Sequence, residues 1–459
     1  MMTEDCHGES MVQRSLYRIP VDDDATIIYR PLRHLAFMGN RALAELLTRL
    51  QAGETTPDDL DPELRAFLDK IGYFEPDPEP PALPSPEDTM GMVTLLMTTR
   101  CNLRCTYCYA NGGEEPILDL PLPIARRAVA QVCQEAQTAG HPDFQMCLHG
   151  GGEPVQSWDS LQAAVTFAHA QPLPCHISLV SNGVWSERQR AWLLEHVNDF
   201  SISFDGRPET QDSQRPFPSG AGSSQQTLAT LAALDEAKAP YGIRLTATPP
   251  FVGRLPEDVR YICETTQCGG MQVEPAFVNE RGLHHGATEE MADEFIAAFM
   301  AAWEIANEHG RRLDYSGARP DSITATFCGA PYGGLVVHPR GRLMACYEVA
   351  NDSHPLLEEA TVGTVDAEAV HRDREARRQL LDGIEAHRES CRDCYCYWHC
   401  AGDCFARTRA AQERDEGAIR CRINREITRQ MLLWHIMAGD GVWQGQQLAP
   451  SEFCLPGVC

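Results

Sequence analysis

The stretch CNLRCTYCYANGG, residues 101–113, holds three cysteines at the spacing C-x3-C-x2-C, with Tyr107 directly before the last of them. Structural zinc sites and most iron–sulfur sites in proteins use four protein ligands. A zinc ribbon would also need a matching second pair of cysteines, and no such pair follows nearby in the chain. The spacing therefore favours an iron–sulfur cluster in which three irons carry thiolates and the fourth is open to a ligand other than protein.

The composition is that of a soluble globular protein with more than one domain. The chain has 459 residues, of which 43% are hydrophobic and 23% charged, enough for two or three domains with cores of their own. We expect no membrane span, because no run of about 18 apolar residues occurs, and residues 1–15 lack the apolar segment of a signal peptide. We therefore expect a cytoplasmic protein. The formal net charge of −26 opposes binding to nucleic acid, which requires clustered Lys and Arg.

Cysteine usage points to metal. The chain has 19 cysteines, and in a reducing compartment clustered thiols indicate metal sites rather than disulfides. Besides the three cysteines of the opening stretch, eight lie between Cys328 and Cys421. The remaining cysteines are scattered and are predicted to be small buried residues or tail thiols.

The first part of the chain predicts a small α+β unit. Residues 14–75 contain three short strand patterns followed by two amphipathic helix patterns, the first of which has Asn40 placed to cap it. Residues 76–88 are rich in proline and acidic residues and have no apolar period. We predict an extended linker there.

The middle of the chain predicts an α/β fold. Residues 89–309 alternate between strand and helix patterns in six units, which predicts a parallel sheet, either open or curled into a partial (β/α)6 barrel. In such sheets the chemistry lies at the carboxyl ends of the strands. Residues 320–440 combine short strands, dense cysteines and a final helix from about 417 to 438, and predict a domain held by metal. Residues 441–459 are predicted to form a C-terminal tail.

The three-cysteine loop, placed at the end of the first strand of the predicted barrel, resembles that of the radical S-adenosylmethionine (SAM) enzymes. The resemblance implies a 4Fe–4S cluster held by Cys101, Cys105 and Cys108, with its open iron bound by the amino and carboxylate groups of SAM. Reductive cleavage of SAM then gives a 5′-deoxyadenosyl radical, which abstracts a hydrogen atom from the substrate. The cofactor carries this chemistry, and the protein supplies position and excludes water.

Other strand ends carry residues that the resemblance assigns to SAM. The sequence HGGGEP, residues 149–154, resembles the family's GGE motif: Gly151 and Gly152 would let the backbone approach the methionine, and Glu153 would receive its ammonium group. The other implied contacts are Tyr107 near the adenine, Ser203, Asp205 and Arg215 at the ribose and methionine carboxylate, and, more loosely, Ser181, Asn182 and Glu274 at the adenosine. Ordinary turn and cap chemistry is the alternative for this last group.

The C-terminal cysteines resemble the SPASM domain, which carries two auxiliary iron–sulfur clusters in a subset of radical SAM enzymes. The resemblance implies a distal cluster held by Cys391, Cys394, Cys400 and Cys421, and a nearer cluster held by Cys328, Cys346 and Cys404. The protein would then hold three 4Fe–4S clusters. The fourth ligand of the nearer cluster is open between Cys396, Cys263, Cys268 and no residue at all, in which case an open iron would bind a substrate thiol. Two zinc sites are the alternative for the whole set.

The substrate expected from this resemblance is a peptide, because SPASM-bearing enzymes mostly modify peptides and proteins. The N-terminal unit resembles the small winged-helix-like domain that grips leader peptides, where an extended leader adds to a strand edge; a generic extension packed on the barrel is the alternative. We expect a peptide maturase that abstracts hydrogen from a ribosomally made precursor and forms an intramolecular thioether or carbon–carbon crosslink, with flavodoxin or ferredoxin as electron donor.

Two alternatives to peptide crosslinking follow from the same residues. Sulfatase-maturing enzymes, which generate formylglycine, carry Asp directly after the cysteine equivalent to Cys346, whereas Tyr347 and Glu348 follow it here. Glu348 is the sole candidate for a general base, on its position alone. The third possibility is a catalytically silent iron–sulfur scaffold that binds leader peptides.

Overall fold

The structure is a computed structural model that describes residues 15–85, 91–114, 116–276, 288–350, 352, 354–412 and 417–445. Its N-terminal elements match the predicted pattern of three strands and two helices. They are β1 (Tyr17–Pro20), β2 (Ala25–Arg30), β3 (Leu35–Asn40), α1 (Arg41–Gln51) and α2 (Pro62–Lys70). The side chain of Asn40 accepts a hydrogen bond from the backbone N–H of Leu43 and so caps α1 as expected.

The residues predicted to begin the linker are held against this N-terminal sheet. Arg30 is fully buried and forms an ion pair of 2.5 Å with Asp77. The guanidinium of Arg30 also donates to the backbone carbonyls of Tyr73 and Glu75. The segment therefore leaves the sheet after Asp77, and it continues without regular secondary structure as far as residue 85.

The middle of the chain forms the six strand–helix units that the sequence predicts. The elements are β4 (Met92–Leu96), α3 (Leu122–Ala139), β5 (Phe144–His149), α4 (Trp158–His169), β6 (Cys175–Ser181), α5 (Glu187–His196), β7 (Asp199–Ser203), α6 (Pro208–Gln214), α7 (Ser224–Ala237), β8 (Tyr241–Ala247), α8 (Leu255–Thr265), β9 (Gly270–Pro275) and α9 (Glu289–Glu308). Strands β4 to β9 pair in parallel in chain order. Their largely buried apolar side chains form one core with the surrounding helices.

The cysteine-rich part continues the same sheet. Its elements are β10 (Arg312–Asp314), β11 (Leu335–Val337), β12 (Arg342–Met344), β13 (Thr361–Val365), β14 (Val370–Arg372), α10 (Arg374–Ser390), α11 (Tyr397–Cys400), α12 (Phe405–Gln412) and α13 (Gly417–Ala438). Strand β10 extends the sheet beyond β9, and β11 pairs in parallel with β4 at the other side. The result is a sheet of 11 strands in the order β10-β9-β8-β7-β6-β5-β4-β11-β12-β13-β14.

A last strand, β15 (Val442–Trp443), joins the N-terminal sheet. It pairs antiparallel with β3, so the order of that sheet is β1-β2-β3-β15. One face of the sheet covers α1 and α2, and the other packs on Leu432 and Ile436 of α13. Part of the segment predicted as a tail is thus built into the fold. Within the described residues, no helix has the length and apolar character needed to cross a bilayer.

Candidate active site

The three-cysteine loop follows β4 and is fixed by one arginine that the sequence analysis did not single out. The guanidinium of Arg104 donates to the backbone carbonyls of Cys101 and Leu103, both at 2.9 Å, and of Gly113 at 2.7 Å. The backbone N–H groups of Arg104 and Thr106 donate to the carbonyls of Pro216 and Gln214. The loop is therefore closed on itself and tied to the end of α6.

The structure brings the three thiols of the loop together. Burial raises the pKa of the Cys101 thiol, and the charges of Cys105 and Cys108 raise it further. Thiols in this situation ionise readily when a cation binds them. The sulfur of Cys101 accepts a hydrogen bond from the N–H of Leu103, at 3.5 Å, and the sulfur of Cys108 accepts one from Gly112, at 3.4 Å. Such N–H···S bonds are a known means of tuning iron–sulfur clusters, so the donor set fits a cluster.

The glycines of the HGGGEP sequence press against the cysteine loop. A Cβ atom added to Gly152 would lie 2.0 Å from the carbonyl oxygen of Arg100, and one added to Gly151 would lie 3.1 Å from that of Ala350. The turn therefore has no room for a side chain at Gly152, and at Gly151 a side chain would require its neighbour to move. Its backbone passes between the three-cysteine loop and the C-terminal part of the chain, which is where the resemblance predicted an approach to the methionine.

Glu153 is a buried carboxylate at the same turn. It is 2% exposed, and burial raises its pKa to about 7. Its oxygens accept hydrogen bonds from the hydroxyl of Ser181 at 2.7 Å and from the backbone N–H of Asn182 at 2.8 Å. Among the described residues, the groups that hydrogen-bond to it and shift its pKa belong to Asn182, Ser181 and Val155, and none of them is a Lys, Arg or His. The ammonium group of SAM is the kind of ligand that such a carboxylate fits.

Ser181 and Asn182 connect this carboxylate to the cysteine loop. The Ser181 hydroxyl also accepts a hydrogen bond from the indole N–H of Trp185, at 2.8 Å. The amide nitrogen of Asn182 donates to the side-chain oxygen of Asn102 at 2.8 Å and lies 3.9 Å from the sulfur of Cys101. Both residues therefore contribute hydrogen bonds to the geometry of the site. They remain predictions as adenosine contacts.

Asp205, Arg215 and Tyr107 form one buried network. Asp205 receives two hydrogen bonds from the guanidinium of Arg215, at 2.9 and 3.1 Å, and one from the hydroxyl of Tyr107 at 2.7 Å. The backbone N–H of Thr246 completes the set at 3.0 Å. Ser203 ends β7 nearby, where its backbone pairs with Arg244. The network fixes Tyr107 within the cysteine loop, and the assigned ligand contacts of these residues stay predictions.

The seven predicted C-terminal ligands fall into two groups by proximity. In the nearer thiol group, burial raises the pKa of Cys346, and the charges of Cys404 and Cys328 raise it further. In the distal thiol group, burial raises the pKa of Cys400, and the charges of Cys421 and Cys394 add to it; Cys391 adjoins Cys394 and Cys421. Among the described residues no three His, Cys, Asp or Glu side chains are arranged to hold a single metal ion. The structure thus shows how the thiols are grouped, and the clusters remain proposals.

The three candidates for a fourth nearer ligand lie elsewhere. Cys396 faces α13, where its sulfur contacts the carbonyl of Asn424 and the hydroxyl of Thr428. A hydrogen bond from its thiol lowers the pKa of Cys394, so Cys396 belongs beside the distal thiol group. Cys263, within α8, and Cys268, in the turn between α8 and β9, adjoin each other near the amino end of β9. None of the three is brought beside Cys346.

The nearer thiol group and the three-cysteine loop share one apolar cluster. Cys108, Cys328 and Cys404 pack against a set of buried residues that includes Leu96 of β4 and Cys346. Tyr109, which follows the loop's last cysteine, is 39% exposed and interacts electrostatically with Cys108 and Cys346. Tyr109 is therefore within electrostatic reach of the three-cysteine loop and of the nearer thiol group.

Further polar residues lie near Tyr109 and the nearer thiol group. His149 at the end of β5 stacks on Tyr347, with ring centroids 5.7 Å apart, and burial lowers its pKa to about 4. Arg244 of β8 is within electrostatic reach of Tyr109 and Glu274. Glu274 and Glu348 are both bound by Arg407 of α12. Arg244 could have been recognised as a site residue from the sequence, because a charged residue in an otherwise apolar parallel strand must face a polar interior.

Comparison with known proteins is consistent with this geometry. Residues 95–262 match the family model described as the Radical SAM superfamily. The chain contains a radical SAM domain. The resemblance predicted from the three-cysteine loop is thus confirmed, and this superfamily uses SAM with a 4Fe–4S cluster. The matched range of the radical SAM domain runs from β4 to α8 and includes every residue of the cysteine loop and the HGGGEP turn.

Curated relatives of the radical SAM domain cover part of the chain. An uncharacterized protein of Methanocaldococcus jannaschii is 27% identical over 38% of this chain and 59% of its own length. The sporulation killing factor maturation protein SkfB of Bacillus subtilis is 27% identical over 33% of this chain and 35% of its own length. The chain thus matches less than two thirds of the length of either relative.

Solved structures extend the likeness beyond the radical SAM domain. The structure of anSMEcpe with bound AdoMet covers 76% of this chain and 95% of its own, with a TM-score of 0.58 and 15% identity. Streptococcus suis SuiB bound to precursor peptide SuiA covers 86% and 96%, with a TM-score of 0.52 and 12% identity. At such identities the likeness concerns the fold. It confirms the predicted α/β class, with a partial barrel, a small N-terminal sheet and a cysteine-rich C-terminal part.

Proposed function

We propose that this chain is a peptide maturase, which abstracts a hydrogen atom from a ribosomally made precursor peptide and forms an intramolecular thioether or carbon–carbon crosslink. One observation carries the proposal. The three-cysteine loop and the nearer thiol group pack into the same apolar cluster, and Tyr109 lies within electrostatic reach of both. A radical generated at the first group would therefore arise close to the second.

The names of similar proteins support a peptide as the substrate class. SkfB is a maturation protein of the sporulation killing factor, SuiB has been solved with a precursor peptide, and anSMEcpe has been solved with AdoMet and the Cp18Cys peptide. The N-terminal sheet is the proposed site for the leader segment of such a peptide. A cytoplasmic location and an electron donor of the flavodoxin or ferredoxin type belong to the same proposal.

The residues of this chain would perform several separate tasks. SAM and its cluster, when bound, supply homolytic hydrogen abstraction. The Gly151–Gly152 backbone would admit the methionine, and Glu153 would receive its ammonium group in a site from which water is excluded. The Asp205 network would hold Tyr107 in place beside the cofactor. Two auxiliary clusters would be held by the nearer and distal thiol groups.

Crosslinking requires one electron and one proton to leave after hydrogen abstraction. The peptide loses two hydrogens in all: one as the abstracted atom, and one as a proton plus an electron when the new bond forms. The nearer thiol group is the proposed site of the electron acceptor. Glu348 is the candidate proton acceptor, but Arg407 binds its carboxylate at 2.9 Å.

The proposal is tested by combining two measurements. The anaerobically reconstituted protein, given SAM and a reductant, should release 5′-deoxyadenosine, and Cys101→Ala should abolish that product. Cys133→Ala is the matched control, because this buried thiol lies in the helical core of α3. If wild type gives no 5′-deoxyadenosine, or Cys101→Ala still gives it, the radical SAM reading of the loop is wrong for this chain.

The second measurement is the mass of a precursor peptide encoded beside this chain, after co-expression with it. Loss of two hydrogens from the peptide, absent with Cys101→Ala, is the expected result. A mass change in a neighbouring sulfatase instead would favour formylglycine formation. An unmodified peptide that still binds the protein would favour the silent scaffold.

A further inference from the structure

Arg407 joins two carboxylates that come from different parts of the fold. Its guanidinium donates to Glu274, at the end of the barrel strand β9, with a distance of 2.7 Å. It also donates through two nitrogens to one oxygen of Glu348, at 2.9 and 3.2 Å. All three side chains are largely buried, with 30% of Arg407, 18% of Glu274 and 28% of Glu348 accessible. Such a bridge requires the planar fork of an arginine.

The same arginine is adjacent to the nearer thiol group. Arg407 lies in α12, which begins directly after Cys404, and its guanidinium is within electrostatic reach of the Cys404 thiol. The other end of the bridge is equally close, because the backbone N–H of Glu348 donates to the sulfur of Cys346 at 3.4 Å. Cys404 is thus three residues from Arg407 and Cys346 two residues from Glu348, the two partners of one ion pair.

Arg407 compensates the negative charge of the carboxylates that it binds. Burial opposes ionisation of Glu274, but the charge of Arg407, a hydrogen bond from Ser316 and the charge of Arg420 more than offset it, so its pKa lies below the ordinary value. Without Arg407, Glu348 would remain within electrostatic reach of the three nearer thiols with less compensation. A buried charge that loses its partner is strongly disfavoured. The site therefore depends on this cation for its electrostatic balance.

We propose that Arg407 is a positioning residue that fixes Glu348 beside Cys346 and raises the reduction potential of the cluster proposed for the nearer thiol group. The proposal rests on the proposed function for the existence of that cluster. A cluster that takes up one electron gains one negative charge. A nearby cation favours the reduced form, whereas nearby carboxylates favour the oxidised form.

Three variants separate the position of Arg407 from its charge. Arg407→Gln removes the cation and should shift the midpoint potential of the nearer cluster to more negative values. Glu348→Gln removes a carboxylate and should shift it the other way. Arg407→Lys keeps the charge but loses the fork, and should give a potential between wild type and Arg407→Gln. Arg409→Gln is the matched control: it lies on the same helix, and its partner Glu359 belongs to an exposed pair.

The measurement is a redox titration followed by electron paramagnetic resonance on the full chain. It uses a background in which Cys101, Cys105 and Cys108 are replaced by Ala, so that this loop contributes no signal. The nearer cluster is identified as the signal that Cys404→Ala removes. The expected order of potentials is Arg407→Gln lowest, wild type and Arg409→Gln equal, and Glu348→Gln highest, with iron content unchanged.

Several results would overturn the proposal. Equal potentials in Arg407→Gln, Arg407→Lys and wild type at full iron content would do so, as would a wild-type protein without a signal that depends on Cys404. If Arg407→Gln fails to retain iron, Glu348→Gln decides: a shift of the midpoint potential to more positive values supports the proposal, and an unshifted potential refutes it. The redox titration needs no substrate. Failure to modify a peptide would therefore refute the proposed function without deciding whether Arg407 sets the potential of the nearer cluster.

Discussion

The guanidinium carbon of Arg215 lies 5.1 Å from the centroid of the Tyr107 ring, and Asp205 binds both side chains. This contact places a residue of the three-cysteine loop and one from the end of α6 on a single carboxylate. Asp205 and Arg215 are buried, with 1% and 8% of their side chains accessible. The network therefore supports the loop from the side of the barrel, in addition to any role toward SAM.

Asp205→Ala should destabilise the protein strongly. It leaves Arg215 as an unpaired buried cation, and breaking a buried pair on one side costs about 3–5 kcal/mol. Glu359→Ala is the control, since its exposed pair with Arg409 should contribute less than about 1 kcal/mol. Urea unfolding followed by circular dichroism measures both. Equal losses in the two variants would mean that the Asp205 network does not support the fold.

Arg104→Met should weaken the three-cysteine loop. The variant removes the donors to three backbone carbonyls, each hydrogen bond to a charged group contributing about 1.5–3 kcal/mol. We expect reduced iron retention after anaerobic desalting and loss of the cluster signal that SAM perturbs. Arg100→Met, in the same segment but with 52% of its side chain accessible, should retain both. Full iron and an unchanged signal in Arg104→Met would contradict the assignment.

Gly152→Ala should abolish SAM-dependent chemistry. The added methyl group would lie 2.0 Å from the carbonyl oxygen of Arg100, so the turn or the cysteine loop must move. Gly253→Ala is the control, because its methyl group would meet only a side-chain oxygen of Glu294 at 3.4 Å. Release of 5′-deoxyadenosine and equilibrium binding of SAM are the measurements. Activity of Gly152→Ala close to that of the control would show that the turn has room to spare.

Glu153 should make stability without SAM depend on pH. Its pKa rises from an unfolded value of 4.5 to about 7 in the fold because of burial. The folded state then binds more protons than the unfolded state between these values, so stability is full below pH 4.5 and falls as pH rises to 7. The difference of about 2.5 pKa units corresponds to about 3 kcal/mol.

Glu153→Gln tests this dependence. Without SAM it should unfold at a higher temperature than wild type at pH 8, and the gap should narrow toward pH 5. Affinity for SAM should increase with pH through 7 in wild type, because the carboxylate must be ionised to receive an ammonium group, and should lose this dependence in the variant. Parallel pH profiles for the two proteins would rule out Glu153 as the titrating group.

Much of the fold could be predicted because local patterns and tertiary structure agree in it. In the six strand–helix units the spacing of apolar residues changes clearly between strand and helix. Asn40 caps α1, and α13 spans Gly417–Ala438, both as expected from the sequence. The helix α10, Arg374–Ser390, was not predicted. Its buried residues include two arginines beside Leu380 and Leu381, so the apolar stripe is short. The pairing of β11 with β4 is invisible to local patterns, because three-residue strands gain their stability from the neighbouring strand.

In the candidate site, too, some residues could be predicted from the sequence and others could not. Motif spacing identified the residues of the cysteine loop and the GGE turn, whose roles depend on neighbours in sequence. The spacing did not identify Arg104 or Arg407, because an arginine that binds distant carbonyls or carboxylates looks like any surface arginine in the sequence. It also left Cys396, Cys263 and Cys268 as candidates, although their sulfurs lie away from Cys346. Contacts between residues far apart in sequence decide these cases.

The pairing of β15 with β3 has a consequence for biosynthesis. Val442 pairs with Phe37, so roughly 400 residues are synthesised between the two partners, which takes on the order of 20–80 s at common translation rates. During that time the outer edge of β3 lacks its final neighbour, and Tyr29 lacks Trp443, whose ring lies 6.3 Å away in the finished fold. Strands β1 to β3 of the N-terminal sheet are therefore synthesised long before β15, the strand that completes the sheet.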